Sequence, residues 1–298
     1  DLVIMPTPPI TFAGVMDFIS KRDHSKSYLI LRDIFPQNAK DLGLMKSKLL
    51  FCFFRNKEKY MYRVAEHIGC MSQGNIDYVL RHNPEVDASK FELLPNWSNL
   101  NEEKPNMLQD YKAKYGLKGK FVCVFGGNIG WPQELEFLIE LAKEYRQRKD
   151  LVFLIIGKGV LAQKVRKIID ENRLSNVIMK DFLPREDYDG LVSQCEVGLI
   201  NLDRRFTIPN IPSKTLGYFN AEIPILASVD ANTDYGKILE DAKAGLWSVT
   251  GDLNSYKKNL EFYLENEEER LQMGKNGKQY LKDHLTTNQA YHTIAKHI

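Results

Sequence analysis

From Phe121 onward the chain alternates short apolar runs with longer amphipathic stretches, and this alternation constrains the fold more than any other feature. The runs cover residues 121–125, 151–156, 177–179, 197–200, 225–227 and 245–249. They are short and rich in β-branched residues, with helical spacing between them. Strands that alternate with helices build a parallel sheet covered on both faces. From Leu253 the helical spacing continues through Leu260, Leu264, Leu271 and Leu281, and residues 288–298 read as a separate short helix.

The first part repeats the pattern less regularly. Strands are expected at residues 2–5, 28–31, 69–71 and 91–94, and helices at 11–20, within 44–66, and at 73–81. Proline and polar residues concentrate at 98–105, which reads as an interdomain linker. The expected organisation is an α/β chain of two Rossmann-like domains facing a cleft: residues 1–98, residues 99–287, and a C-terminal helix at 288–298 that returns to the first domain. Ligands in such sheets bind at the carboxyl ends of the strands. The chain opens on a strand with no initiating methionine, so further natural sequence is expected upstream.

Charged residues make up 27% of the chain, yet the net charge is only +2, which argues against a general nucleic-acid binder. The four cysteines (Cys52, Cys70, Cys123, Cys195) lack metal-ligand spacing and read as reduced core residues of a cytosolic protein. The six histidines form no zinc pattern. No metal and no cofactor are expected.

The run Asn210-Ile211-Pro212-Ser213-Lys214-Thr215 follows a strand and opens a helical pattern. The positive end of a helix favours an anion and disfavours the cation of Lys214. A bound phosphate would remove that conflict, whereas a capped helix with a solvated lysine is the plainer alternative. A second loop, Gly126-Gly127-Asn128-Ile129-Gly130-Trp131, carries glycines that permit positive φ and close approach of a ligand to the backbone. Two readings fit Lys158 in Gly157-Lys158-Gly159: contact with a phosphate, or an ordinary surface lysine. Phe182, beside Leu183 in the next loop, either borders a nucleobase or packs in the core. Arg204 and Arg205 either neutralise a diphosphate or are ordinary loop charges.

The order of these loops resembles the donor-binding half of the family-four glycosyltransferases, which have the GT-B fold. The matching runs are FVCVFGGNIGWPQELEFLIELA, FLIIGKG, MKDFLPREDYDGLVSQCEVGLINL, IPSKTLGYF and IPILASVD. Pro-Ser-Lys-Thr before an aromatic helix is similar to bacterial members that build O-antigen and capsule repeats. VIMPTPP and LRDIFPQNAKDLG resemble the acceptor side of the same enzymes. The resemblance implies metal-independent, retaining hexosyl transfer from a nucleotide diphosphate sugar, with UDP as the expected nucleotide. It also implies an earlier strand and Gly-rich turn in the acceptor domain. One departure stands out: two glutamates usual in the family, eight positions apart, align with Pro209 and Gly217.

On this basis Lys214 and Ser213 are expected to stabilise the leaving diphosphate. Gly127, Asn128, Ile129, Gly130, Gly157, Lys158, Phe182, Leu183, Arg204, Arg205, Pro212 and Thr215 are expected around the donor. On the acceptor side stand Thr7, Pro8, Arg32 and Asn96, with Asp33 either orienting the acceptor hydroxyl or pairing with its neighbours. Residues 44–63 alternate lysines and arginines with large apolar groups. Such a helix either lies in a membrane interface, which suits a lipid-linked acceptor on the cytoplasmic leaflet, or packs in the core with solvated cations. A GT-B sugar-nucleotide epimerase and an inactive nucleotide-binding scaffold are the competing functions.

Overall fold

The computed structural model describes residues 1–100 and 109–298, so the expected linker at 98–105 lies mostly outside the described residues. The first sheet is parallel, in the order β1 (Leu2–Pro6), β2 (Lys26–Leu31), β3 (His67–Cys70), β4 (Phe91–Leu93). Its helices are α1 (Ala13–Asp23), α2 (Gln37–Asp41), α3 (Lys48–Val64) and α4 (Gln73–His82). Side-chain caps set two starts: Ser47 accepts from the Leu50 N–H and Ser72 from the Asn75 N–H. α1 runs three residues past the expected end. Its last turn is charged, so it leaves no apolar signal, yet Lys21 closes an i,i+4 pair with Asp17.

The second domain holds α5 (Tyr111–Lys114), β5 (Phe121–Gly126), α6 (Leu135–Glu144), β6 (Leu151–Ile156), α7 (Ala162–Glu171) and β7 (Val177–Lys180). It continues with α8 (Arg185–Val192), β8 (Val197–Asn201), α9 (Thr215–Asn220), β9 (Ile225–Val229), α10 (Tyr235–Ala242) and β10 (Gly245–Val249). Three helices, α11 (Leu253–Glu265), α12 (Glu267–His284) and α13 (Thr287–Ala295), close the chain. Its strands are parallel in the order β10-β9-β8-β5-β6-β7. Strand alternation sorts the core into two layers. Val122, Val124 and Leu154 face α8, α9 and α10, whereas Cys123, Phe125 and Phe153 face α6 and α11.

The domains are joined by more than the crossing chain. Phe206 and Ile208, from the segment after β8, are buried in the first domain's core beside Met5, Leu31 and Met61. Burying two such side chains contributes roughly 1.5–3 kcal/mol each. Asn75 Nδ2 donates to the Pro209 carbonyl at 2.8 Å, and Asp41 accepts from the N–H and hydroxyl of Thr207 at 2.8 Å each. At the other end α13 lies on the first domain, with Ala290 and Ile294 against Tyr28 and Leu94. Among the cysteines, Cys70, Cys123 and Cys195 are buried, but Cys52 is exposed on α3, against the expectation of a core residue.

Candidate active site

In the six-stranded sheet β5 and β8 are neighbours, and the chain runs outward from them in opposite directions. Loops leaving the two strands therefore part at their carboxyl ends and open a crevice, the place where open α/β sheets hold ligands. The β5 loop brings Gly127 and Asn128, both exposed, to this crevice, and the segment after β8 ends in Pro212, Ser213 and Lys214.

One side chain joins the two. Nζ of Lys214 lies 3.6 Å from the centroid of the Phe125 ring, and a Cβ placed on Gly127 would stand 3.8 Å from it. The lysine stem reaches the surface, but Nζ is enclosed and has no hydrogen-bond partner among the described residues. An unpaired buried ammonium costs several kcal/mol, of which contact with a ring face offsets about 0.5–2 kcal/mol. Burial accordingly pulls the Lys214 pKa from 10.5 down to about 7. An anion entering the crevice would meet an amine with no hydrogen-bond partner among the described residues and would favour its charged form.

The corner itself offers less than the sequence suggests. α9 has only six residues, and the N–H groups of Thr215 and Leu216 donate back to Pro212 and Ser213 at 3.2 Å each. The Thr215 hydroxyl turns inward to Tyr235, 2.7 Å away. Ser213 stays exposed at the mouth. Lysine, rather than a ring of amides, supplies the positive charge.

Several other expected donor residues turn out to build the loops. The Ile129 side chain is core, its N–H donates to Lys158 O at 2.8 Å, and its carbonyl accepts from Leu161 N at 3.1 Å. Gly157 permits backbone packing, since a Cβ there would stand 1.8 Å from Gly127 O. Gly130 N–H is taken by Gln133 Oε1 at 3.0 Å. Leu183 is buried, while Phe182 beside it is 72% exposed, which removes the core reading for that ring. Lys158 is exposed. Both arginines are occupied: Arg204 pairs with Glu134, and Arg205 grips Asp203 at 2.8 and 2.6 Å while donating to Leu42 O.

On the acceptor side, Thr7 is buried and its hydroxyl oxygen accepts from the Arg32 N–H at 3.0 Å, so it shapes the β1–β2 ends. Pro8 is exposed beside it. Arg32 lies 4.4 Å from the Trp97 ring and donates to Asn96 Oδ1 at 2.7 Å; Asn96 in turn donates to Ile211 O at 3.1 Å. That relay runs from the first domain to the clamp segment. Burial raises the Asp33 pKa, and no carboxylate contact with Arg32 is present among the described residues. Asn96, Pro212 and Thr215 also line an interdomain cavity of about 220 Å³.

In α3 the cations divide. Arg55 pairs with Glu58 and Lys59 with Glu85, while Met61 and Tyr62 are buried. Lys46, Lys48 and Lys57 remain exposed around Leu44, Leu49, Leu50 and Phe53, with Leu49 85% exposed. No described helix is long and apolar enough to cross a membrane.

Sequence reasoning missed Phe125, Tyr235 and Glu134. Phe125 and Tyr235 read as ordinary core residues, and nothing local marks Glu134 as the partner of Arg204.

The family model described as "Glycosyl transferases group 1" matches residues 109–280, more than half of the chain. Among curated proteins, the chain is similar to the probable glycosyltransferase WbjE of Pseudomonas aeruginosa, 23% identical over 248 residues, covering 82% of this chain and 61% of that one. It is also similar to the putative colanic acid biosynthesis glycosyl transferase WcaI of Escherichia coli K12, 24% identical over 254 residues, covering 80% and 60%. It thus spans about 60% of the length of these relatives. Among solved structures, HepE of Anabaena in complex with UDP superposes with a TM-score of 0.79 at 13% identity, covering 98% of this chain and 77% of that one. WaaG, a glycosyltransferase involved in lipopolysaccharide biosynthesis, gives 0.70 at 16%, covering 96% and 80%. Two parallel-sheet domains that superpose on these structures are the GT-B architecture, and by the family match the chain belongs to the group 1 glycosyltransferases.

Proposed function

We propose that this chain moves a sugar from a nucleotide diphosphate donor, UDP-linked, to a lipid-linked or saccharide acceptor in surface polysaccharide synthesis, with retention at the anomeric carbon. The observation that carries the reading is the enclosed amine of Lys214, which lacks a hydrogen-bond partner among the described residues and sits beside an exposed glycine backbone at the switch point. In the transfer, the bond from the anomeric carbon to the diphosphate oxygen breaks and a bond to the acceptor oxygen forms. The acceptor proton passes to the leaving phosphate. Charge develops on the diphosphate, where a preorganised cation in a shielded site stabilises it most. The reading assigns that work to Lys214, with Gly127 admitting the phosphate, and does not call for a divalent cation. HepE was solved with UDP and with UDP-glucose, and WcaI is named for colanic acid synthesis, which supports the donor and product classes. The reading also assigns the exposed Phe182 ring to the border of the base.

The test is turnover of UDP-sugars with and without a lipid-linked acceptor. Acceptor-dependent UDP release that survives chelation is expected, and Lys214→Ala should lower it by about 100-fold or more. Epimerised donor without acceptor, or wild-type turnover in Lys214→Ala, would refute the assignment.

A further inference from the structure

We propose that Asp234 is a positioning residue for the transfer, fixing Lys214 relative to the first domain. The inference rests on Lys214 being the diphosphate clamp. The contacts form a short, unbroken path. Asp234 opens α10 in the second domain, and its carboxylate reaches across to the first turn of α4. There Ser72 Oγ donates to Oδ1 at 2.8 Å and the Gly74 N–H donates to Oδ2 at 2.8 Å. The positive end of a ten-residue helix strengthens the attachment. Gly74 is needed for it, because a Cβ there would stand 2.7 Å from the Asp234 carboxyl carbon.

The next residue carries the constraint inward. Tyr235 is fully buried, and its hydroxyl holds that of Thr215 at 2.7 Å, one residue from Lys214. The same loop braces the approach to the clamp. Asn232 Nδ2 donates to Phe206 O at 2.6 Å and Thr233 Oγ1 to Asn210 O at 2.8 Å. Residues 232–235 therefore touch α4, the embedded 206–210 segment and the start of α9. This gives a change in domain spacing a direct path to the lysine, beside the Arg32–Asn96–Ile211 relay, and misplacement of a reacting geometry by about 1 Å can cost 10²-fold in rate.

The test follows the Lys214 ammonium in the ligand-free protein by NMR titration of its side chain, with turnover measured alongside. Asp234→Ala and Gly74→Ala break the same contact from opposite domains. In both, loosening lets water reach Nζ, so the Lys214 midpoint should rise by about one unit or more. The kcat should fall about tenfold, with a smaller change in KM for donor. Ser72→Ala, which removes one of the two bonds to Asp234 together with the α4 cap, should give a partial shift, and Asp234→Asn should restore part of the loss. A Lys214 titration unchanged in the Asp234, Gly74 and Ser72 variants would overturn the proposal, as would lower melting temperatures with kcat intact. A titration that shifts in a protein that binds no UDP would sink the donor reading and leave this coupling standing.

Discussion

Lys214 is legible in the sequence as a cation at a strand–turn–helix corner, but its setting is not. The conflict with the helix dipole that first singles it out is minor, because α9 is short and its first amides are used within the turn. The strain comes from burial against Phe125, which depends on how β5 and β8 lie side by side. The pKa has a thermodynamic consequence with a definite sign. Lys214 ionises at about 7 in the fold against 10.5 ordinarily, so between these values the unfolded chain binds the extra proton. The charge thus costs stability fully below about pH 7, less as pH rises, and nothing above 10.5. Lys214→Met should raise the melting temperature most near pH 6–7, with the gain shrinking by pH 10. Thermal melts across that range check it, and a gain that does not vary with pH would contradict burial as the cause.

At the level of elements, the strands of the second domain are readable because runs buried on both faces are short, apolar and evenly spaced. Helix ends are less so: α1 continues through a charged turn that carries no apolar signal. The loops are the instructive case. Glycine is visible in the sequence, but its purpose is not, since ligand approach and backbone packing call for the same residue. The structure separates the two. A Cβ on Gly157 would collide with Gly127 O at 1.8 Å, whereas one on Gly217 meets nothing within 4 Å among the described residues. Gly157→Ala should therefore destabilise the domain by about 2–4 kcal/mol through forced backbone movement. Gly217→Ala, within a helix, should be neutral or stabilising by up to about 1 kcal/mol. Urea unfolding of both variants checks the pair, and equal effects would undo the distinction. The ion pairs that hold the arginines expected at the diphosphate were illegible for a related reason, since their partners Glu134 and Asp203 are set by loop conformation.

At the scale of the whole molecule, the cleft is set by two parallel sheets and by the 206–210 segment that anchors one domain in the other. That anchoring was not legible, because Phe206 and Ile208 look like core residues of the domain they come from. The apolar and basic face of α3 was legible in part: Arg55 and Lys59 are spent in ion pairs, and Lys48 and Lys57, with Lys46 just before the helix, remain exposed beside Leu49 and Phe53. Where the proposed acceptor is lipid-linked, this face is expected to meet anionic lipid. Flotation with phosphatidylglycerol vesicles at low salt should recover the protein, and Leu49→Asp/Phe53→Asp should release it; equal recovery of both would remove the membrane role. The central claim concerns the lysine that both loops enclose. Calorimetry of UDP binding at pH 8, repeated in buffers of different ionisation enthalpy, reads it directly. A diphosphate restores the charged form of a lysine that titrates at about 7, so binding should take up close to one proton, and Lys214→Met should lose both the uptake and most of the affinity. UDP bound equally tightly by the variant, with no proton uptake by the wild type, would contradict the account.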